Sequence, residues 1–282
     1  MRIYISMDAE GISGIYKLGQ VMPSHQTLYP WAQRMMANDV NAAVEGAYRA
    51  GATQVIVNDA HNAGNNLLID QLDERVDLIS GGIRPLGMAE GCDLGCDAAL
   101  FIGYHKRKGG KGVASHSYAY GTMVEMRLNG TLISEHDLVG LCIGAYDVPV
   151  VFLSGDDQVI EDAKKSIPGI YTVETKIAIS NNAALCHHPK RNAENITNTV
   201  EKALRSYKDD GIKPMKIDGQ IELDVRYTAE AQAAMAMGIA GTIRLDENTV
   251  RYSGTDYLTV YRAFLNGTTL AGIFRDDADL YL

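Results

Sequence analysis

The chain has 282 residues, of which 46% are hydrophobic, and 26 basic against 35 acidic side chains leave a net charge of −9. That hydrophobic share supports a sizeable core and excludes a disordered chain, while the negative balance argues against nucleic acid and anionic membrane surfaces as partners. No apolar run approaches the roughly 20 residues of a spanning helix, and no basic, apolar and small-residue leader precedes the first strand pattern, so the expectation is a cytoplasmic protein without a membrane partner.

In chain order, residues 2–7 read as a buried strand that stops at "DAEG", Asp8 to Gly11. Residues 31–50 read as a helix, with Met35, Val40, Ala43, Val44 and Ala47 on one stripe and Gly51 as the stop. "TQVIVNDAH", Thr53 to His61, reads as a second buried strand with a polar end. A short strand over 76–80 and a short helix over 86–92 precede "DAALFIGYH", Asp97 to His105, a third buried strand, which ends in a histidine. Residues 122–134 form a predicted hairpin around Asn129-Gly130. A helix over 135–146 and a buried strand over 148–157 follow.

Continuous apolar strands alternating with helices predict an α/β fold, a mostly parallel sheet covered by helices on both faces. After about residue 165 the texture changes. A strand over 170–179, a helix over 189–207, a strand near 216–224, a helix near 228–237, a strand pair near 241–253 and a helix near 255–267 predict a smaller C-terminal α+β domain. The expected division is therefore 1–165 and 166–282. The four cysteines, Cys92, Cys96, Cys142 and Cys186, form no zinc-ribbon spacing and are expected as small core residues.

Asp8 and Glu10 lie two apart in an extended chain and project to the same side. Two bare carboxylates so placed repel, and the pair is comfortable only with a positive charge between them. His61 and His105 end two further strands, and Glu135 opens the predicted helix. In a parallel sheet such ends converge at the carboxyl edge, where sites lie. Three carboxylates and two neutral imidazoles balance two Zn²⁺ ions and one hydroxide, and oxygen and imidazole ligands without cysteine suit a catalytic zinc pair. Asp59, two residues before His61, is a candidate acceptor that orients that ring.

In the order "SMDAEG" (Ser6–Gly11), "NDAH" (Asn58–His61), "GYH" (Gly103–His105), "ASHSY" (Ala114–Tyr118), "NG" followed by Glu135, and "VPVVFLSGDD" (Val148–Asp157), the chain resembles the DppA-type D-aminopeptidases. The resemblance is close over about residues 1–157 and looser beyond. It implies a binuclear zinc peptidase with two zinc ions per chain, held by Asp8, Glu10, His61, His105 and Glu135, with Asp8 bridging both metals. It makes His116 the catalytic histidine that is not a ligand. The implied reaction is release of N-terminal residues, D-amino acids among them, from short peptides by attack of a zinc-held hydroxide on the scissile carbonyl. It also implies a homo-oligomeric, self-compartmentalising ring, with a decamer of two stacked rings as one form. The basic loop "KRKGGKG" (Lys106–Gly112), Ser117 after His116, and the Ser134 and His136-Asp137 flanks of Glu135 depart from the family pattern and leave substrate preference, D or L, open. Two other readings stand beside this one: a binuclear zinc amidase acting on a non-peptide amide, and a non-enzymatic ring-forming protein with a vestigial site.

Overall fold

The computed structural model describes residues 1–273. In chain order the elements are β1 (Arg2–Met7), α1 (Tyr29–Arg49), β2 (Gln54–Asp59), β3 (Val76–Ile79), β4 (Ala98–Tyr104), β5 (Met123–Leu128), β6 (Thr131–Leu132), α2 (Glu135–Ala145), β7 (Val150–Asp156), α3 (Asp157–Ser166), β8 (Tyr171–Ser180), β9 (Ala183–Cys186), α4 (Pro189–Ser206), β10 (Ile221–Tyr227), α5 (Glu230–Ala236), β11 (Ile243–Arg244), β12 (Thr249–Gly254) and α6 (Tyr257–Ile273). No helix among the described residues is long and apolar enough to cross a membrane.

The described residues divide into two units, one of residues 1–115 with 139–216 and one of residues 116–138 with 217–273. The expected cut at residue 165 falls inside the first unit. The reason is β8, which pairs in parallel with β7 and so extends the first sheet instead of opening a second.

The first unit is built on a seven-stranded sheet in the order β3-β2-β1-β4-β7-β8-β9. Every pairing from β3 to β8 is parallel, and only β9 runs antiparallel. β4 and β7 are buried at every position, and β1 and β2 at all but their first residue, as strands covered on both faces must be. α1 and α4 touch through the Thr197 hydroxyl, which donates to the Ala42 carbonyl at 2.9 Å. Strand order reverses between β1 and β4, so chain growth runs away from that pair in both directions. In open parallel sheets, this reversal opens a crevice at the carboxyl ends where ligands bind.

The second unit carries a five-stranded antiparallel sheet, β11-β12-β10-β5-β6, with α5 and α6. β10 alternates, burying Ile221, Leu223, Val225 and Tyr227, the period expected of a sheet with one face in a core. The Tyr227 and Tyr252 hydroxyls are 2.7 Å apart, and the Tyr252 ring meets Phe264 of α6 edge to face. Asn129-Gly130 forms the β5–β6 turn as predicted. Cys92, Cys96 and Cys142 are buried thiols, whereas Cys186, expected in a core, is exposed on the edge strand β9.

Two glycines allow the carboxyl ends of β1 and β4 to meet. The Gly11 N–H donates to the Gly103 carbonyl at 2.7 Å, and a Cβ on Gly11 would lie 2.1 Å from the Tyr104 carbonyl oxygen. Gly103 has φ +75°, and a Cβ there would lie 2.2 Å from the Asp8 carbonyl oxygen. Alanine at either position forces backbone apart. Gly103→Ala is expected to lower unfolding free energy by at least about 2 kcal/mol, combining overpacking with a disfavoured φ. Chemical denaturation measures it, and a wild-type midpoint contradicts the close approach.

Candidate metal centre

Asp8 and Glu10 follow β1 directly, at 2% and 0% exposure. The Asp8 N–H donates to the Ile102 carbonyl at 2.8 Å, so the register of β1 against β4 continues past the strand end and fixes where the carboxylate leaves the backbone. His61 follows β2, whose Asp59 lies opposite Met7, and His105 follows β4. The three strand ends are thus level, and four of the predicted ligands, Asp8, Glu10, His61 and His105, converge in the first unit.

Asp8 lies between the two imidazoles. Its Oδ1 is 3.2 Å from His61 Nδ1, and its Oδ2 is 3.4 Å from His105 Nε2. Glu10 Oε2 is 3.4 Å from the same His61 Nδ1. Each ring has a carbonyl at its far nitrogen: Val21 at 3.2 Å from His61 Nε2, and Lys106 at 2.9 Å from His105 Nδ1. In the tautomers that donate to these carbonyls, the lone pairs of His61 Nδ1 and His105 Nε2 face the carboxylates. Metal-binding histidines are held in this way.

The residues fit a cation on three counts. Asp8, Glu10 and His61 offer ligand atoms within 4.8 Å of one another, all buried. Two ligand atoms sharing one tetrahedral zinc at about 2.0–2.2 Å stand roughly 3.3–3.6 Å apart, which is close to the spacings observed across Asp8. Burial works against a charged His61 ring, yet the negative charge of Glu10 and the hydrogen bond to Asp8 hold its pKa well above the usual imidazole value. The pocket therefore favours positive charge beside Asp8 and Glu10.

In the second unit, His116 is 8% exposed, and its Nε2 lies 3.9 Å from Glu135 Oε1. The Tyr118 N–H donates to that Glu135 oxygen at 2.7 Å, and the His116 ring meets Tyr120 edge to face. Glu135 opens α2 as expected. The other carboxylate weighed in the sequence, Asp59, does not serve the His61 ring. It accepts from the N–H groups of Asn66 at 2.6 Å and Leu67 at 2.8 Å and from the Asn66 side-chain amide at 2.8 Å, and that amide also donates to the His61 carbonyl at 2.7 Å. Asp59 thus shapes the loop that carries His61. In the basic loop, Lys106 Nζ pairs with Asp162 at 2.6 Å and is not at hand for substrate.

Sequence reading missed Thr175 and Lys176 of β8, both at 0% exposure. Lys176 Nζ donates to the carbonyls of Glu10 at 2.6 Å, Ile12 at 2.8 Å and Ile15 at 2.8 Å. The Thr175 hydroxyl donates to the Gly11 carbonyl at 2.6 Å.

The profile of the M55 peptidase family, described as D-aminopeptidase, matches residues 1–266. The chain belongs to this family. The D-aminopeptidase of Bacillus subtilis (strain 168) is 34% identical over 272 residues, covering 96% of this chain and 98% of that protein. Among solved structures, the Zn-dependent D-aminopeptidase DppA from Bacillus subtilis, a self-compartmentalizing protease, matches with a TM-score of 0.92 at 33% identity, covering 98% of this chain and 100% of that one. The family expected from the motifs and the α/β class expected from the strand pattern are both borne out, and as an M55 peptidase the chain is a hydrolase.

In this M55 peptidase, Asp59→Ala would leave two buried backbone N–H groups unpaired. The expected cost is about 2–4 kcal/mol of stability, read by urea denaturation, with looser metal retention because the His61 loop is released. Unchanged stability would contradict the role given to Asp59.

Proposed function

We propose that the protein is a zinc-dependent aminopeptidase that releases N-terminal D-amino acids from short peptides, and that two zinc ions are held by Asp8, Glu10, His61, His105 and Glu135. The observation that carries the reading is Asp8, whose two oxygens each face the nitrogen of a different imidazole at 3.2 Å and 3.4 Å, so that one carboxylate could be shared by two groups of donors. Glu135 and His116 enter through the family motifs in which they stand. Bound zinc would supply Lewis acidity toward a carbonyl and lower the pKa of water at the site.

The chain's own groups do the rest. The carbonyls of Val21 and Lys106 lie at the far nitrogens of the two imidazoles, placed to accept from the tautomers that ligation requires. Asp8 and Glu10 bring two negative charges into a dry site, which favours a divalent ion over a proton on His61. His116 carries a proton at its ring nitrogen and serves the scissile amide, stabilising its oxygen or protonating the leaving nitrogen.

The family description and the Bacillus subtilis relative support D-specificity, and the carboxylate-imidazole donor set suits zinc in a catalytic site better than a soft ion that seeks thiols. We also propose that the chain assembles into a closed homo-oligomeric ring, with a decamer of two stacked rings as one form, and works in the cytoplasm. The self-compartmentalizing character of the Bacillus subtilis structure supports the ring. The four free thiols support a reducing compartment.

The decisive experiment is hydrolysis of paired D- and L-dipeptides by zinc-loaded protein. N-terminal release from the D-series is expected, and release from the L-series alone, or from neither, overturns the specificity or the activity. Elemental analysis should approach two zinc per chain; a limit of one contradicts the binuclear site. His116→Ala should retain metal and lose roughly 10²–10⁴-fold in kcat, whereas His105→Ala should lose metal as well. A His116→Ala protein stripped of zinc would show that ligand and catalyst have been confused. Light scattering should give a mass several times that of one chain, and a fully active monomer would sink the ring.

A further inference from the structure

We propose that Lys176 is a positioning residue for the metal centre: its ammonium, docked on the carbonyls of Glu10, Ile12 and Ile15, fixes the turn that aims the Glu10 carboxylate. The inference rests on the metal-binding reading above and adds a residue to it that lies far away in sequence.

A lysine carries three N–H donors and no acceptor. In Lys176 all three are matched, by carbonyls at 2.6, 2.8 and 2.8 Å, within one turn of chain. The adjacent Thr175 hydroxyl takes the intervening Gly11 carbonyl at 2.6 Å and the Gly155 carbonyl at 3.0 Å. Four carbonyls between residues 10 and 15 therefore end on two consecutive side chains of β8. From the other side, the Ser13 N–H donates to Asp39 at 2.8 Å, and Asn192 donates to the Ser13 hydroxyl at 2.9 Å. The backbone around Glu10 is thus clamped by side chains that are all out of water.

Two features separate this from ordinary core packing. A charged ammonium is an expensive way to fill volume that methionine would fill without desolvating a charge. It is also delivered by an irregularity. Gly155 pairs with Glu174 but Asp156 pairs with Lys176, so β8 has an extra residue at Thr175, and the bulge turns both Thr175 and Lys176 inward. Burial lowers the Lys176 pKa to about 8, while the nearby carboxylates of Asp156, Asp39 and Glu10 favour its protonated form, so it is the three hydrogen bonds to the ligand turn that define its place.

The test compares wild type, Lys176→Met and Thr175→Val after metal removal, using Co²⁺ as the probe. Circular dichroism and Tm of the metal-free proteins report folding. Chelator competition gives Co²⁺ affinity, and the visible absorption bands report ligand geometry. Loss of partners that orient ligands typically costs roughly 10–100-fold in metal affinity. Lys176→Met is expected to fall in that range with altered bands, and Thr175→Val to move the same way by a smaller factor. Folded variants with wild-type affinity and bands, and only a lowered Tm, overturn the positioning role and leave the metal site standing. If Lys176→Met does not fold, Thr175→Val decides alone by the same criteria. A wild-type protein that takes up no Co²⁺ overturns the metal reading and this inference with it.

Discussion

Two carboxylates, Asp8 and Glu10, are held out of water within reach of one imidazole, and the first unit is organised around that arrangement. Unit charges of like sign about 4 Å apart repel by about 4 kcal/mol at an effective dielectric of 20, before the cost of desolvating either group. The chain tolerates this because positive charge is close by on two sides. His61 takes up a proton more readily than an ordinary histidine, and the Lys176 ammonium lies under the turn. A divalent ion held by Asp8, Glu10 and His61 would offset that repulsion, with the neutral imidazole as a ligand.

The sheet supplies the geometry. β1 and β4 are neighbours at the point where strand order reverses, and their carboxyl ends are pulled together by Gly11 and Gly103, at positions with no space for a Cβ. That contact sets Asp8 and Glu10 beside His105. β2, in parallel register on the other side, brings His61, and Asp59 at its end shapes the loop instead of contributing a ligand. Strands carry the ligands, backbone carbonyls meet the far nitrogens of the rings, and a bulged strand from residue 171 onward clamps the turn. Metal centres gain affinity from such support because the ligands lose little freedom on binding.

The strands of the first sheet are legible in the sequence because continuous apolar runs stop abruptly at acids and histidines, a pattern that neither an amphipathic helix nor a half-exposed strand produces. The ligand candidates Asp8, Glu10, His61 and His105 come from the same signal, and the structure brings these four together. Three things are not legible. α3 escapes because "DQVIEDAKKS" buries only Val159, Ile160 and Ala163, and its start is set by the Asp156 side chain, which accepts from the N–H groups of Gln158 and Val159. The unit boundary is misplaced because "YTVETKIAIS" alternates like a half-exposed antiparallel strand, although it pairs in parallel with β7. Lys176 is invisible for a related reason. Strict alternation gives Thr175 and Lys176 opposite faces, and only a bulge, which sequence does not announce, buries both.

The central claim is a pair of zinc ions held by oxygen and imidazole donors with no cysteine. X-ray absorption at the zinc edge of the fully loaded protein tests it most directly. The expected spectrum has a single oxygen/nitrogen shell at about 2.0–2.1 Å and a zinc–zinc vector at about 3.5–4 Å. A sulfur shell near about 2.3 Å, or loaded protein with no metal–metal vector, would contradict it.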